Sequence, residues 1–167
     1  RAAGLIGPDA LVCHPGTHAK WIDLAGGRIT ALRTMMTGEV FGLLSRHSIL
    51  APQLAGEARP GPDFDAGVRE SLGGGDALLG ALFRIRARHV LNAGRADETS
   101  YASGLLIGAD VRAALAGGSA RRVAVIGRLD LNALYAAALE QAGCETVTID
   151  GSTAFLAGMH RLTQVMQ

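Results

Sequence analysis

The fold is decided by residues 122–150, which read RVAVIGRLDLNALYAAALEQAGCETVTID. The apolar run over residues 122–126 is typical of a strand that is buried on both faces. Residues 131–142 have the spacing of a helix, and Gly143 stands where a glycine commonly follows the end of one. Residues 145–149 are rich in β-branched side chains and indicate a second strand. This order predicts two parallel strands joined by a right-handed helical crossover.

Upstream of that unit, the first third of the sequence predicts antiparallel strands. Residues 10–14 form a short apolar run, and residues 20–24 and 28–34 alternate in polarity. Turn residues at 16–18 separate the first two runs, and a Gly-Gly pair at 26–27 separates the second from the third. Three strands joined by two tight turns make an antiparallel meander.

Helical periodicity accounts for most of the remaining chain. The segments that show it are residues 37–50, 65–72, 76–91 and 98–116. Gly104 and Gly108 are expected to weaken the helix that contains them. A last helix begins at Ser152 or Thr153, either of which can cap it. The stretch from about residue 63 to residue 116 is therefore predicted to be a helical insertion.

The predicted elements combine into one α/β domain that spans residues 1–167. Its mixed sheet has three antiparallel meander strands followed by a βαβα unit, with helices packed on the sheet. That order resembles the ribonuclease-H-like half-domain of actin-like ATPases and sugar kinases. A fold does not by itself give a function, so the function must be argued from the site.

Composition limits the classes of protein to which the chain can belong. Of its 167 residues, 49% are hydrophobic and 19% are charged, so we expect a folded domain with a sizeable core. The formal net charge of +1 offers no basic excess for nucleic acid or for a membrane surface. No apolar run reaches the roughly 18 residues that span a bilayer. With two isolated cysteines, Cys13 and Cys144, a reduced cytoplasmic protein is expected.

The histidines do not suggest a metal centre. His14 and His18 are four residues apart, but Pro15 and Gly16 between them exclude the helix that would align both rings on one ion. The sequence has no HExxH motif and no third ligand nearby. We therefore predict no metal site built from this chain's side chains.

The most informative loop is PGTHAKW at residues 15–21. A Gly16-Thr17 turn between two strands offers backbone N–H groups and a hydroxyl, and Lys20 adds an ammonium group. These are the donors that a phosphate needs. The loop is not a Walker A motif, because the GxxxxGK[ST] spacing is absent. The alternative is an ordinary turn, in which glycine supplies backbone freedom and threonine a local hydrogen bond.

A second candidate anion site lies at the start of the helix predicted over residues 37–50. Thr37, Gly38 and Glu39 stand at its N-terminus, where backbone N–H groups favour a negative charge. The alternative is that Thr37 only caps the helix. The residues alone do not separate these two interpretations.

A third candidate is the turn at Gly127, which follows a buried strand and opens a helix. Ligands of α/β sheets bind at the carboxyl ends of such strands. A dinucleotide site is the rival interpretation, because Asp150 lies about 20 residues further on, where a ribose-binding acid would stand. A GxGxxG motif at Gly127 would need glycine in place of Leu129 and Asn132, so this rival is disfavoured.

Four stretches carry a resemblance to a known family. The two specific ones are PGTHAKWIDLAGGRI at residues 15–29 and MTGEVFGLLSRHSIL at residues 36–50. SGLLIGADV at residues 103–111 and VAVIGRLDLNALYAAALEQAG at residues 123–143 support them. In this order the stretches resemble the 2-dehydro-3-deoxygalactonokinase family, and they cover most of the chain.

The resemblance implies an ATP-dependent sugar-acid kinase of the actin-like superfamily, which holds ATP and sugar in a cleft between two ribonuclease-H-like domains. Such a kinase transfers the γ-phosphate of ATP to the 6-hydroxyl of 2-dehydro-3-deoxy-D-galactonate, with Mg²⁺ bridging the phosphates. This chain resembles only the C-terminal, nucleotide-binding half. The implied partners are therefore the sugar acid and an N-terminal kinase domain.

The resemblance also implies binding roles for residues of this sequence. The implied contacts to the β- and γ-phosphates are Gly16, Thr17 and His18, with added charge from Lys20. The implied adenosine contacts are Gly127, Arg128 and Asn132. The candidates for binding phosphate or the substrate carboxylate are Thr37, Gly38 and Glu39.

Two parts of the family's pattern do not occur in this sequence. One is the DxGTT phosphate loop of the N-terminal half, and the other is the acidic segment just before the PGTH stretch. We therefore assign no catalytic residue and expect little turnover from the chain alone. The alternative is a non-catalytic nucleotide- or sugar-binding module of the same fold. A homodimer through the glycine-broken helices between residues 65 and 116 is a further expectation.

Overall fold

The computed structural model describes residue 4 and residues 6–74, 78–118 and 122–165. Its centre is a mixed sheet of five strands in the order β3-β2-β1-β4-β5. The strands are β1 (Ala10–His14), β2 (Ala19–Ala25), β3 (Arg28–Met35), β4 (Arg122–Gly127) and β5 (Glu145–Asp150). The predicted mixed α/β sheet, with a meander followed by parallel strands, is confirmed.

β1 lies in the middle of the sheet and joins its antiparallel and parallel halves. It pairs antiparallel with β2, where Cys13 is opposite Trp21, and parallel with β4, where Val12 is opposite Ala124. β2 pairs antiparallel with β3, and β4 pairs parallel with β5. The chain leaves β1 toward β2 but leaves β4 toward β5. A crevice therefore forms between the carboxyl ends of β1 and β4.

Six α-helices and one short 3₁₀ turn accompany the sheet in the described ranges. They are α1 (Thr37–His47), the 3₁₀ turn (Ala51–Gln53), α2 (Pro62–Leu72), α3 (Leu78–Val90), α4 (Glu98–Leu115), α5 (Leu129–Gln141) and α6 (Gly151–Val165). The helix predicted over residues 37–50 ends at His47, because Ser48 is extended and its hydroxyl donates to the Leu44 carbonyl (2.7 Å). The predicted start of α3 at residue 76 lies outside the described residues. Within those residues, no helix combines the length and apolarity needed to cross a membrane.

One face of the sheet packs against α2, α4 and α5 and forms the main core. Cys13 and Trp21 of the antiparallel half and Val125 of β4 are fully buried there, together with Val111 of α4 and Leu139 of α5. Burial of these side chains supplies most of the stabilisation of the sheet and its helical layer. This packing also fixes the edge of the sheet at which β1 and β4 end.

α2 and α4 pack backbone to backbone through glycines. A Cβ atom on Gly104 would lie 2.2 Å from the Phe64 carbonyl oxygen, and one on Gly67 would lie 2.3 Å from the Tyr101 carbonyl oxygen. Gly108 also approaches the backbone of α2. The expectation that Gly104 and Gly108 only weaken α4 therefore misses their role, because the absent side chains allow the two helices to touch.

Candidate functional site

A cleft of about 910 Å³ opens at the carboxyl ends of β1, β4 and β5. Of the ten residues to which the sequence analysis gave a binding role, those on its wall are Gly16, Thr17, Thr37, Gly38, Gly127 and Arg128. The loop after β1 and the turn after β4 therefore face the same space. This is the crevice in which doubly wound α/β sheets bind ligands.

Gly16 faces open space on the cleft wall. A Cβ atom built on Gly16 would meet no atom within 4 Å, and its backbone is not in the left-handed region. Neither packing nor backbone conformation in the described residues therefore requires a glycine there. The missing side chain leaves room for another molecule to approach the main chain. Thr17 beside it is exposed, so the two residues present an amide and a hydroxyl to the cleft.

The start of α1 is locked against this loop. A Cβ atom on Gly38 would lie 2.4 Å from the Gly16 carbonyl oxygen, so only glycine permits the contact. The Glu39 amide donates to the Thr17 carbonyl (2.9 Å). The Glu39 N–H is therefore already engaged, and an anion at the start of α1 would have to bind through other amides.

Thr37 does not cap α1, which corrects one of the two interpretations drawn from the sequence. The N-cap position is Met36, and it makes no side-chain cap hydrogen bond. The Thr37 hydroxyl instead donates to Asp110 Oδ2 (2.7 Å), because that buried carboxylate is the stronger acceptor within reach.

Asp110 is the central polar group beneath the cleft, and the sequence analysis did not identify it. It is 6% exposed and accepts hydrogen bonds of 2.7 Å from Trp21 Nε1, Thr37 Oγ1 and Tyr135 Oη. Two of these donors, Thr37 and Tyr135, also line the cleft. A single carboxylate on α4 thus ties together β2, α1 and α5. An aspartate inside the apolar run of residues 105–111 was the available signal, since such a group needs buried partners.

The protonation of groups near Asp110 follows from burial and from its negative charge. Burial, and then Asp110, raise the pKa of Tyr135 well above its ordinary value. Tyr135 therefore stays a hydrogen-bond donor at neutral pH. The same two causes raise the pKa of Cys13, so its thiol is neutral and unreactive in the folded protein.

His18 and Lys20 do not line the cleft. His18 Nε2 contacts Glu39 Oε2 at 2.6 Å, and both side chains are substantially exposed. Lys20 Nζ donates to the His18 carbonyl (3.3 Å). None of these three residues lines the cleft. The role of His18 and Lys20 as phosphate contacts stays a prediction.

The turn after β4 is closely packed at its glycine. A Cβ atom on Gly127 would lie 3.3 Å from Pro15 Cδ and 3.2 Å from Asn132 Oδ1. Asn132 is 1% exposed, and its Nδ2 donates to the carbonyls of Gly127 (3.2 Å) and Ile149 (3.0 Å). The Asn132 amide thus joins the ends of β4 and β5 from within, and its contact with adenosine stays a prediction.

The mouth of the cleft carries charged groups at the starts of α5 and α6. Arg128 is exposed on the wall and contacts Asp130 at 2.5 Å, and this hydrogen bond lowers the pKa of the Asp130 carboxyl. Asp150 accepts from the amide (2.8 Å) and hydroxyl (3.0 Å) of Thr153. Asp150 is therefore the cap of α6, in place of Ser152 or Thr153 as the sequence suggested.

His14 is a second cleft residue to which the sequence analysis gave no binding role. Its Nδ1 donates to the Ile126 carbonyl (2.5 Å), a bond that links the end of β1 to β4. Because a carbonyl only accepts, Nδ1 is the donor in this contact. His14 thus adds a fixed imidazole to the cleft wall.

Metal binding by protein side chains has little support in this cleft. Among the described residues, no three His, Cys, Asp or Glu side chains are grouped so that they could hold an ion. Three carboxylates line the cleft, those of Glu57, Asp130 and Asp150, and the last two are engaged in local hydrogen bonds.

Comparison with known proteins points to one group. The family model described as 2-keto-3-deoxy-galactonokinase matches residues 2–162. The chain is 35% identical to the 2-dehydro-3-deoxygalactonokinase of Escherichia coli (strain K12), over 98% of this chain and 56% of the relative. It is 37% identical to the "Probable 2-dehydro-3-deoxygalactonokinase" of Rhizobium meliloti (strain 1021), over 95% of this chain and 53% of the relative.

A solved structure gives the same result. The chain superposes on the crystal structure of a candidate 2-dehydro-3-deoxygalactonokinase from Sinorhizobium meliloti with a TM-score of 0.91 and 34% identity. The match covers 99% of this chain and 57% of that chain. This chain thus spans about half the length of the relatives it matches.

Proposed function

The chain belongs to the 2-keto-3-deoxy-galactonokinase family, and from this premise we propose that it is the nucleotide-binding part of an ATP-dependent sugar-acid kinase. The reaction transfers the γ-phosphate of ATP to the 6-hydroxyl of 2-dehydro-3-deoxy-D-galactonate. The strand order β3-β2-β1-β4-β5, with a meander followed by parallel strands, supports a ribonuclease-H-like fold for this part.

One observation carries the proposal: Gly16 and Gly127 lie on the wall of a single cleft at the ends of adjacent parallel strands. One nucleotide can therefore reach both turns. Gly16 leaves its main chain open to a phosphate, and Thr17 adds a hydroxyl beside it. The Gly127 turn, with Arg128 at the mouth, takes the adenosine.

The chemistry assigned to these residues is binding and orientation. Phosphoryl transfer depends mostly on donors that are held in place before charge develops on the phosphate oxygens. Asp110 orders the wall behind such donors, because the hydroxyls of Thr37 and Tyr135 both donate to its carboxylate and are thereby held in place. The loop at Gly16 is held in turn by the Glu39–Thr17 backbone bond.

Mg²⁺ enters the proposal as a companion of the triphosphate. The ion commonly binds to phosphate oxygens with one or two carboxylates and several waters. The cleft of this chain fits the phosphate side of such a complex, since Gly16 and Thr17 lie on its wall, and no three His, Cys, Asp or Glu side chains among the described residues are grouped so that they could hold the ion themselves.

Calorimetric titration with ATP and Mg²⁺ tests the nucleotide site. Gly16→Ala is the informative variant, since its methyl group fills only open cleft space. Gly80→Ala is the matched control, because a Cβ atom on that glycine also meets nothing within 4 Å. Gly80 belongs to α3 and does not line the cleft. We expect at least tenfold weaker ATP binding for Gly16→Ala and unchanged binding for Gly80→Ala. No measurable ATP binding by the unaltered chain would refute the proposal.

The alternative function is a non-catalytic nucleotide- or sugar-binding module of the same fold. This alternative is retained because the chain covers only about half the length of its relatives. Both proposals expect the chain alone to show little phosphoryl transfer, so the isolated chain does not separate them. Turnover after addition of the complementary part of a relative supports the kinase, and binding without turnover supports the module.

A homodimer remains a separate proposal about partners. α3 leaves Leu79 (78% exposed) and Phe83 (59% exposed) in solvent, and Leu91 just after it is 75% exposed. These side chains form an apolar surface that a second copy could cover. A molar mass that doubles with concentration in light scattering, and no longer does so in Phe83→Glu, supports the dimer.

A further inference from the structure

The exposed surface of α6 is unusually apolar on one side. Phe155, Leu156, Met159 and Leu162 are 66%, 67%, 46% and 58% exposed. Their spacing of one, four and seven residues from the first places them along one side of the helix. We call these four residues the α6 stripe.

The side of α6 that turns toward the rest of the molecule carries small residues instead. Gly151, Ala154, Ala157 and Gly158 are only partly exposed, and α6 packs on β4 and β5. Large apolar side chains would normally occupy the buried side of a surface helix. In α6 this arrangement is reversed, so burial within the described part of the chain does not explain the stripe.

Solvent exposure alone does not explain the stripe either. A third side of α6 is exposed and polar, and there His160 Nε2 and Gln164 Nε2 lie 3.0 Å apart. The solvent-exposed surface of α6 therefore has a polar side and a separate apolar side. Contiguous exposed apolar patches of this kind commonly mark interaction surfaces.

The α6 stripe is continuous with the cleft. Phe155 begins the stripe and also lines the cleft, next to Asp150 and Gly151. A body that covers the stripe would therefore stand beside the open side of the cleft. The position of the stripe thus connects it to the ligand site.

The relatives indicate what could cover it. The solved relative superposes on 99% of this chain at a TM-score of 0.91, yet this chain accounts for only 57% of its length. We propose that the α6 stripe is the docking surface for the part of the kinase that this chain does not match. This inference rests on the proposed kinase function.

Binding in trans tests the docking surface. The probe is the part of the Escherichia coli relative that lies outside the matched stretch, expressed separately and shown to be folded by circular dichroism. Its binding to the matched half of its own chain is the positive control. The informative variant is Leu156→Glu/Met159→Glu, which spares the cleft residue Phe155. The matched control is Leu79→Glu/Phe83→Glu, which places the same two charges on the exposed surface of α3.

We expect the probe to bind the unaltered chain and the α3 variant alike, and to bind the α6 variant at least tenfold more weakly. Equal affinity for both variants, or no binding to the unaltered chain, overturns the inference. Sedimentation velocity gives a further outcome that overturns the inference. If the chain self-associates, only the α6 variant abolishes this, and the probe does not bind, then a second copy of the chain covers the stripe.

Titration of the same variants with ATP and Mg²⁺ separates this inference from the proposed function. The α6 variant should bind ATP as the unaltered chain does, because Leu156 and Met159 do not line the cleft. Loss of docking with ATP binding intact supports the inference. Docking that depends on the stripe in a chain that binds no ATP leaves the docking surface standing and refutes the nucleotide site.

Discussion

Trp21 and Asp110 are 89 residues apart in the sequence and are joined by a 2.7 Å hydrogen bond from the indole Nε1 to a carboxylate oxygen. The bond links β2 to α4 through the middle of the core, where Trp21 is fully buried. Because Asp110 also accepts from Thr37 and Tyr135, the same carboxylate sets the order of the cleft wall.

Asp110→Ala should destabilise the fold by about 3 kcal/mol, because three donors would lose their acceptor and two of them, on Trp21 and Tyr135, are buried. Asp110→Asn should cost less, since the amide keeps one acceptor oxygen and the two hydroxyl groups can rotate to accept. Urea unfolding followed by the fluorescence of Trp21, the single tryptophan, measures both changes. Equal costs for the two variants would contradict the proposed network.

Gly104→Ala should destabilise the protein by several kcal/mol, at the upper end of the cost of overpacking a core. Its methyl group would meet the Phe64 carbonyl oxygen at 2.2 Å, and a carbonyl in a helix cannot move aside. Gly80→Ala should instead be neutral or stabilise by up to about 1 kcal/mol, because it adds helix propensity in open space. Thermal unfolding of both variants gives the comparison, and similar midpoints would exclude the close helix pairing.

Gly38→Ala should displace the loop at Gly16 and weaken ATP binding about tenfold. Its methyl group would lie 2.4 Å from the Gly16 carbonyl oxygen. Gly42→Ala, in the same helix, is the control, since the atom it meets is the end of the flexible Arg46 side chain. Calorimetric titration with ATP and Mg²⁺ checks the pair. An unchanged affinity in Gly38→Ala would show that the loop does not need this contact.

Asp150→Asn should reduce the loss of stability in acid. The hydrogen bonds from Thr153 hold the pKa of the Asp150 carboxyl below its ordinary value of 3.8. A pKa lowered by folding gives stabilisation that is complete above the unfolded value and is lost as the pH falls through the folded value. Unfolding free energies measured between about pH 5 and pH 2 should therefore fall more steeply for the unaltered chain than for Asp150→Asn. Parallel curves would show that the cap carries no charge-dependent stability.

Local pattern was sufficient to predict the sheet. The apolar run at residues 122–126, the alternation at residues 28–34 and the glycine turns each reflect a short-range requirement. Pairing of the meander with the parallel unit followed from the order of those elements. The four stretches that resemble the family extended this to the function, and the family assignment is confirmed.

The parts that escaped prediction depend on contacts between distant elements. Thr37 had the chemistry of a cap, but Asp110 on α4 takes its hydroxyl. Asn132 stood in a turn that suits a ligand, but the carbonyls of Gly127 and Ile149 take its amide. Gly104 has the low helix propensity of any glycine, but the backbone of Phe64 on α2 packs against it. Each competing partner lies on another element, so no local pattern reveals it.

The contact between Gly67 and Gly104 also limits how the cleft can change shape. With main chains in touch, α2 and α4 cannot slide or roll past one another without a collision between peptide groups. We expect the two helices to move as one rigid unit. Within the described residues, we expect a change in the shape of the cleft to come from the Gly16 loop together with the start of α1, or from α6.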